Sequence, residues 1–196
     1  MKKTLIVIAV IVVVVLVFYS FFKSTYNTMV MNSEQVDAQW AQVENVYQRR
    51  ADLIPNLVNT VKGFATQEQE VLTGVVEARA KATSVNVNAD NLTEANLQAF
   101  QKAQEGLSGA LSRLMVVVER YPELKSNQNF LELQSQLEGT ENRITVERMK
   151  FNETTRTYNT YIKSFPQTLL AGMFGFEEKP YFEAAQGADT VPKVEF

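Results

Sequence analysis

Residues 36–64 read VDAQWAQVENVYQRRADLIPNLVNTVKGF. Their seam residues Val36, Trp40, Val43, Tyr47, Ile54, Leu57, Val61 and Phe64 are separated by 4, 3, 4, 7, 3, 4 and 3 positions. Spacing of this kind gathers side chains into one stripe on a helix, so the segment predicts a long helix with a seam facing its partners. Arg50 interrupts the seam. Pro55 opposes it, since an interior proline costs a helix about 3 kcal/mol. The stripe stays in phase on both sides, so the expectation is a kink at Pro55.

The same period returns in Phe130, Leu133, Leu137, Thr140, Ile144, Phe151, Tyr158 and Phe165, interrupted at Glu147 and Thr154. Leu97, Phe100, Leu107, Leu111, Leu114, Val118 and Tyr121 form a third run, and Val71, Leu72, Val75 and Val76 a shorter one. Thr66 with Gln69, and Asn91 with Glu94, have the spacing of helix starts, Pro122 reads as the end of the third helix, and Ser126 as the cap of the fourth. Short connections imply antiparallel neighbours. The fold class expected is all-α: a transmembrane helix in residues 1–23, an antiparallel up-and-down four-helix bundle with coiled-coil-like seams in 24–165, and an irregular aromatic tail in 166–196. That tail is too apolar to be a solvated disordered segment, so it should pack on its own bundle, on a neighbour or on the membrane surface.

Upstream, Leu5 to Phe22 are 18 uncharged, mostly apolar residues between Lys2–Lys3 and Lys23. As a helix they span about 27 Å, close to the ~30 Å hydrocarbon core of a bilayer. Seven valines and three isoleucines favour a strand by propensity, but in lipid only a helix satisfies its own backbone groups. A cleaved signal would need small residues near its end, where Tyr19, Phe21 and Phe22 stand, so a retained anchor is expected. Two lysines precede the span and one follows it, which favours a cytoplasmic N-terminus, with the bundle outside the cytoplasm.

Composition closes most routes to chemistry. The chain has no histidine and no cysteine, which removes His-based triads, thiolate nucleophiles and zincin motifs. With Lys2, Lys3 and Lys23 set aside from the 19 basic residues, 16 basic face 22 acidic ones, a net charge of −6 that repels nucleic acid. The eight glycines form no phosphate-binding loop. Carboxylate chemistry on glycans remains open to Glu132, Glu138, Glu141 and Glu147, though their helical spacing suits a solvated face. No catalytic, metal or cofactor-binding residue is expected.

Arg49, Arg50 and Asp52, within one helical turn beside Pro55, could form a recognition surface, yet a seam arginine more naturally reaches a carboxylate of the last helix, Glu138 or Glu141, and fixes helix register. Asn27, Asn152 and Asn159 each follow an aromatic residue and read as inward amides bonding between helices. Trp40 reads as core between the helices. Leu169, Leu170, Met173, Phe174 and Phe176 form an apolar cluster past the last helix, suited to self-association.

Several blocks resemble the LemA family: Tyr26-Asn27, then Gln48 to Val58 with Asp52, Pro55 and Asn56, then Val61 to Gly63 and Glu119 to Lys125. Thr140 to Ile144 with Glu141 and Arg143, Phe151-Asn152, Tyr158-Asn159, Gly175-Phe176 and Tyr181 to Glu183 continue the match. One departure is Ala51, where the family more usually has a polar residue. The resemblance implies a four-helix bundle behind an N-terminal anchor, in a bacterial envelope protein without an established enzymatic activity. Two functions stay in view: a non-enzymatic assembly, scaffold or partner-binding module, forming homo-oligomers or engaging other envelope proteins, and, as the alternative, a carboxylate-dependent cell-wall glycan-processing or glycan-binding domain.

Overall fold

The structure is a computed structural model and describes residues 2–65 and 67–183. The described residues are all-helical, in the order α1 (Lys2–Phe64), α2 (Gln69–Ser84), a 3-10 turn (Ala89–Asn91), α3 (Glu94–Val118), α4 (Pro122–Lys125), α5 (Gln128–Lys163) and α6 (Gln167–Phe174). Helix α1 runs unbroken from the apolar span into the bundle and through Pro55. Its apolar N-terminal part is long enough to cross a membrane and lies wholly outside the packed core. Burial begins at Thr25, just beyond Lys23.

Every seam residue of α1 from Val36 to Val61 is buried, Arg50 included, while Phe64 at the helix end is exposed. On α5 the stripe Phe130, Leu137, Thr140, Ile144, Phe151 and Tyr158 is buried, and Phe165, beyond the helix, is exposed. Helices α1 and α5 pair antiparallel, since Arg50 meets Glu141 and Trp40 meets Phe151, ten residues apart in opposite senses. Helices α2 and α3 pack on each other and close the other side of the core.

Helix boundaries differ from expectation in ways that capping explains. Thr93 caps α3, its hydroxyl accepting from Asn96 N, while Asn91 instead joins Asn88 in a reciprocal cap of the 3-10 turn. Helix α3 stops at Val118, and Pro122 opens α4, where its missing N–H costs nothing. Asn127 caps α5 because its extended backbone aims the amide oxygen at Phe130 N; Ser126 is helical and its hydroxyl donates to the Pro122 carbonyl. Helix α2 starts after Glu68 without a side-chain cap, and Thr66, with Gly187, Pro192 and Phe196 of the tail, lies outside the described residues. The tail is not irregular throughout: residues 167–174 carry no charge and form α6, ended by Gly175 at φ 74°, a left-handed turn that favours glycine.

The core divides in two. One cluster holds Met29, Trp40, Tyr47, Phe100, Ile144, Phe151, Leu170 and Phe182; the other holds Ile54, Leu57, Leu107, Leu114, Phe130 and Leu137. Residues 50, 104 and 141 lie between them in sequence on α1, α3 and α5, and there the core turns polar.

Candidate functional site

Three constellations bring the candidate residues together, beginning with the polar layer around Arg50. Its Nη1 donates to Glu141 Oε2 at 2.8 Å and to Ser108 Oγ at 3.0 Å; its Nη2 donates to Gln104 Oε1 at 2.6 Å and to the Gln104 carbonyl at 3.3 Å. Tyr47 lies beneath the guanidinium at 5.2 Å. Gln104 in turn donates to the Ala82 carbonyl at the end of α2. One hydrogen-bond hub thus ties four helices at one level and holds their register. Glu141 is the partner and Glu138 is not: Glu138 faces solvent and accepts from Gln134. Arg50 Nε has no hydrogen-bond partner among the described residues. Gln104 escaped the sequence reading, although it fills the seam position between Phe100 and Leu107 at which an apolar residue would be expected.

Pro55 sets up the second contact. Having no N–H, it leaves the Ala51 carbonyl without its donor four residues on. Arg79 of α2 fills that role, its Nε donating to the Ala51 carbonyl at 2.7 Å. The missing helical hydrogen bond thereby becomes a tether to the neighbouring helix. Arg49, Asp52, Asn56 and Arg143 are exposed, with Asp52 accepting from Gln48 at 2.7 Å, so this block presents a polar outer face beside the buried hub.

The third constellation fastens the tail. Asn152 Nδ2 donates to the Phe182 carbonyl at 2.9 Å and its Oδ1 accepts from Phe182 N at 2.9 Å. Asn159 repeats the pattern on Lys179, at 2.8 and 3.0 Å. Seven helical residues advance about 10.5 Å, which three residues match only when nearly fully extended, so the two amides read the tail backbone as a neighbouring strand would. These amides therefore bond to the tail and not between helices, and Asn27 is exposed. Phe182 stacks on Trp40 at 5.9 Å and meets Phe151 edge-on, with Arg148 over its face at 4.6 Å. Trp40 is core, its indole donating to the Val87 carbonyl at 2.9 Å. Lys179 pairs with Asp37 of α1, and Tyr158, whose hydroxyl burial pushes above the ordinary tyrosine value, donates to the Glu177 carbonyl. Phe174 and Phe176 pack edge-on against Tyr26, at 4.9 and 5.8 Å.

The carboxylates do not converge. Glu132 lines a shallow open groove with Asn56 and Asn129; Glu147 is bound by Lys150 and Gln39, which hold it below the usual carboxylate range. Glu44, pushed up by burial, stands in a recess of 170 Å³ with no second carboxylate in its lining. Glu70 and Glu77 line a 710 Å³ recess between α2 and α3 together with Arg113; both are exposed, and they stand two helical turns apart, about 10.5 Å along the axis. No cluster of metal-ligating side chains occurs among the described residues.

The sequence model of the LemA family matches residues 39–196. Two magnetosome proteins MamQ of Paramagnetospirillum magneticum are each 30% identical over 182 residues, covering 84% of this chain and 67% of the relative. The magnetosome protein MamQ of Magnetospirillum gryphiswaldense is 26% identical across 94% of this chain and 74% of its own length. Protein LemA of Metamycoplasma hominis is 19% identical across 87% and 74%. The match takes in the Arg50 hub, the Pro55 tether and both tail-fastening asparagines, and on this extent the chain belongs to the LemA family.

Proposed function

We propose that the protein is a non-enzymatic, single-pass assembly module of the bacterial inner membrane, whose bundle stands outside the cytoplasm and binds further copies of itself or other envelope proteins. The carrying observation is that α1 passes without a break from an apolar span into the bundle core. Such a helix supports a retained anchor, because cleavage near Lys23 would fall immediately before the first buried turn. We read α1, α2, α3 and α5 as the four members of an up-and-down bundle, with α4 and α6 as additions. Most interior polar side chains are engaged in the register hub and the tail fastening, so the polar outer face, including Arg49, Asp52, Asn56 and Arg143, is what a partner would meet. Confinement to a membrane raises the effective concentration of neighbouring copies, so weak contacts suffice for assembly. The MamQ relatives are named as magnetosome proteins, which supports a role within a cellular assembly.

Two measurements test this reading. Protease added to spheroplasts should digest the bundle and leave the anchor; full protection overturns the orientation. Native mass spectrometry of the full-length protein from native-lipid nanodiscs should show dimers or larger species; monomers there and in detergent alike refute self-assembly.

A further inference from the structure

Helix α6 is short, uncharged and packed on one side only. Leu170 and Ala171 are buried against the bundle, while Leu169 and Met173, one turn apart on α6, are 61% and 72% exposed, and Phe165, in the turn that precedes α6, is 80% exposed. Helical neighbours four apart form one row, so α6 turns an apolar ridge away from its own core. Two independent registers set its height. Tyr26, whose ring meets Phe174 and Phe176, lies one turn past Phe22, about 6 Å beyond the end of the apolar span. The α1–α5 pairing, continued in step, sets Lys163 about level with Thr28, so α5 also ends there and delivers the chain to the same level.

We propose that α6 is an interfacial helix whose Leu169–Met173 ridge, with Phe165 in the turn before it, inserts into the headgroup region of the bilayer that α1 crosses. An apolar helix face at this depth belongs at the boundary between headgroups and acyl chains, about 5–10 Å deep. A second copy is a poorer occupant. Three side chains, two on α6 and one in the turn before it, offer roughly 400 Å², against about 800 Å² per partner in a stable protein interface. The bilayer, in contrast, is already present at that height and needs no further area. The bundle is then held at two points, by the span and by the ridge, which fixes the face it turns to the membrane. The inference rests on α1 spanning the bilayer and is independent of self-assembly.

The chain has no cysteine, so single cysteines carry unique probes. Leu169→Cys, Met173→Cys, Phe22→Cys and Val116→Cys, the last exposed on α3, are labelled with an environment-sensitive fluorophore in the full-length protein. Each is placed at one copy per nanodisc of phosphatidylcholine and phosphatidylglycerol with brominated acyl chains. Quenching at 169 and 173 should match that at Phe22 and exceed that at Val116 several-fold. Quenching at 169 and 173 no greater than at Val116 overturns the proposal, and does so distinguishably while the Phe22 probe reports an intact anchor. A blue shift at 169 or 173 that arises only in discs carrying several copies, without bromine quenching, assigns the ridge to a second copy and equally overturns it.

Discussion

Replacing Pro55 by alanine and Arg79 by methionine, singly and together, asks whether the tether between α1 and α2 exists because a proline removed a donor. In the native chain, Arg79→Met leaves the partly buried Ala51 carbonyl unpaired. A hydrogen bond from a charged donor contributes about 1.5–3 kcal/mol, so a loss of about 2 kcal/mol is expected. In the Pro55→Ala background the new N–H at position 55 reaches the same carbonyl along the helix, and Arg79→Met should then cost less than about 0.5 kcal/mol. Pro55→Ala alone should be stabilising by up to about 2 kcal/mol, as relief of the interior proline is offset by a less restricted unfolded chain and a displaced arginine. The coupling energy is therefore about 1.5 kcal/mol. Guanidinium unfolding of the detergent-solubilised protein measures it, with far-UV dichroism and the fluorescence of Trp40, the chain's single tryptophan, as coincident probes. Additivity within about 0.5 kcal/mol would refute the reasoning, because independent sites add to that accuracy.

The Arg50–Glu141 pair should respond asymmetrically, since the arginine side chain is 3% exposed and the glutamate 55%. Glu141→Ala takes one partner from a buried guanidinium that keeps Gln104 and Ser108 and should cost about 1–3 kcal/mol, whereas Arg50→Met also leaves the buried Gln104 Oε1 without its donor and should cost about 3 kcal/mol or more; an Arg50→Met loss well below that of Glu141→Ala in denaturant melts would sink the hub as described. Trp40→Ala should lose about 3–5 kcal/mol, as truncation of a buried aromatic does, read by thermal dichroism. Asn159→Ala should free the tail, giving faster amide exchange at Lys179 and Phe182 while α5 stays protected; unchanged exchange there would show that Phe182 packing alone holds it. Glu147 has a folded-state pKa below its ordinary value, so its contribution is present above the unfolded pKa of about 4.5 and is lost as pH falls through the folded value. Glu147→Gln should therefore flatten the acid limb of a stability-against-pH curve without changing its shape above pH ~6.

Periodicity made the buried stripes of α1 and α5 legible nearly residue by residue, because a helix buries what repeats along it. It misplaced Phe64 and Phe165, which fall at the ends of the pattern where no neighbour remains to cover them. Arg50 announced itself as the charge in an apolar seam, and a carboxylate of the last helix was foreseeable, but the choice of Glu141 over Glu138 depends on the azimuth of α5. Gln104 stands in a seam as Arg50 does but carries no charge to mark it, while Ser108 and Arg79 give no such signal, since a polar residue near a seam looks like its solvated edge. For Asn152 and Asn159 the inward reading was right in kind and wrong in partner. Their seven-residue spacing was visible, but a segment lying along a helix at its own extended rise leaves no period in the sequence, and neither Lys179 nor Phe182 marks its seat.

The unbroken course of α1 makes the anchor a lever. From Phe22 to Phe64 the helix extends about 63 Å beyond the apolar span, and no glycine or proline interrupts it before Pro55. Membrane-spanning helices tilt to match the local hydrocarbon thickness, by about 20° on average. A change of 10° at the span carries the far end sideways by about 11 Å, and the bundle, fastened to α1 along most of that length, must travel with it. Thinner or thicker lipid under the span would thus be reported, amplified, at the tip formed by α4 and the α1–α2 turn.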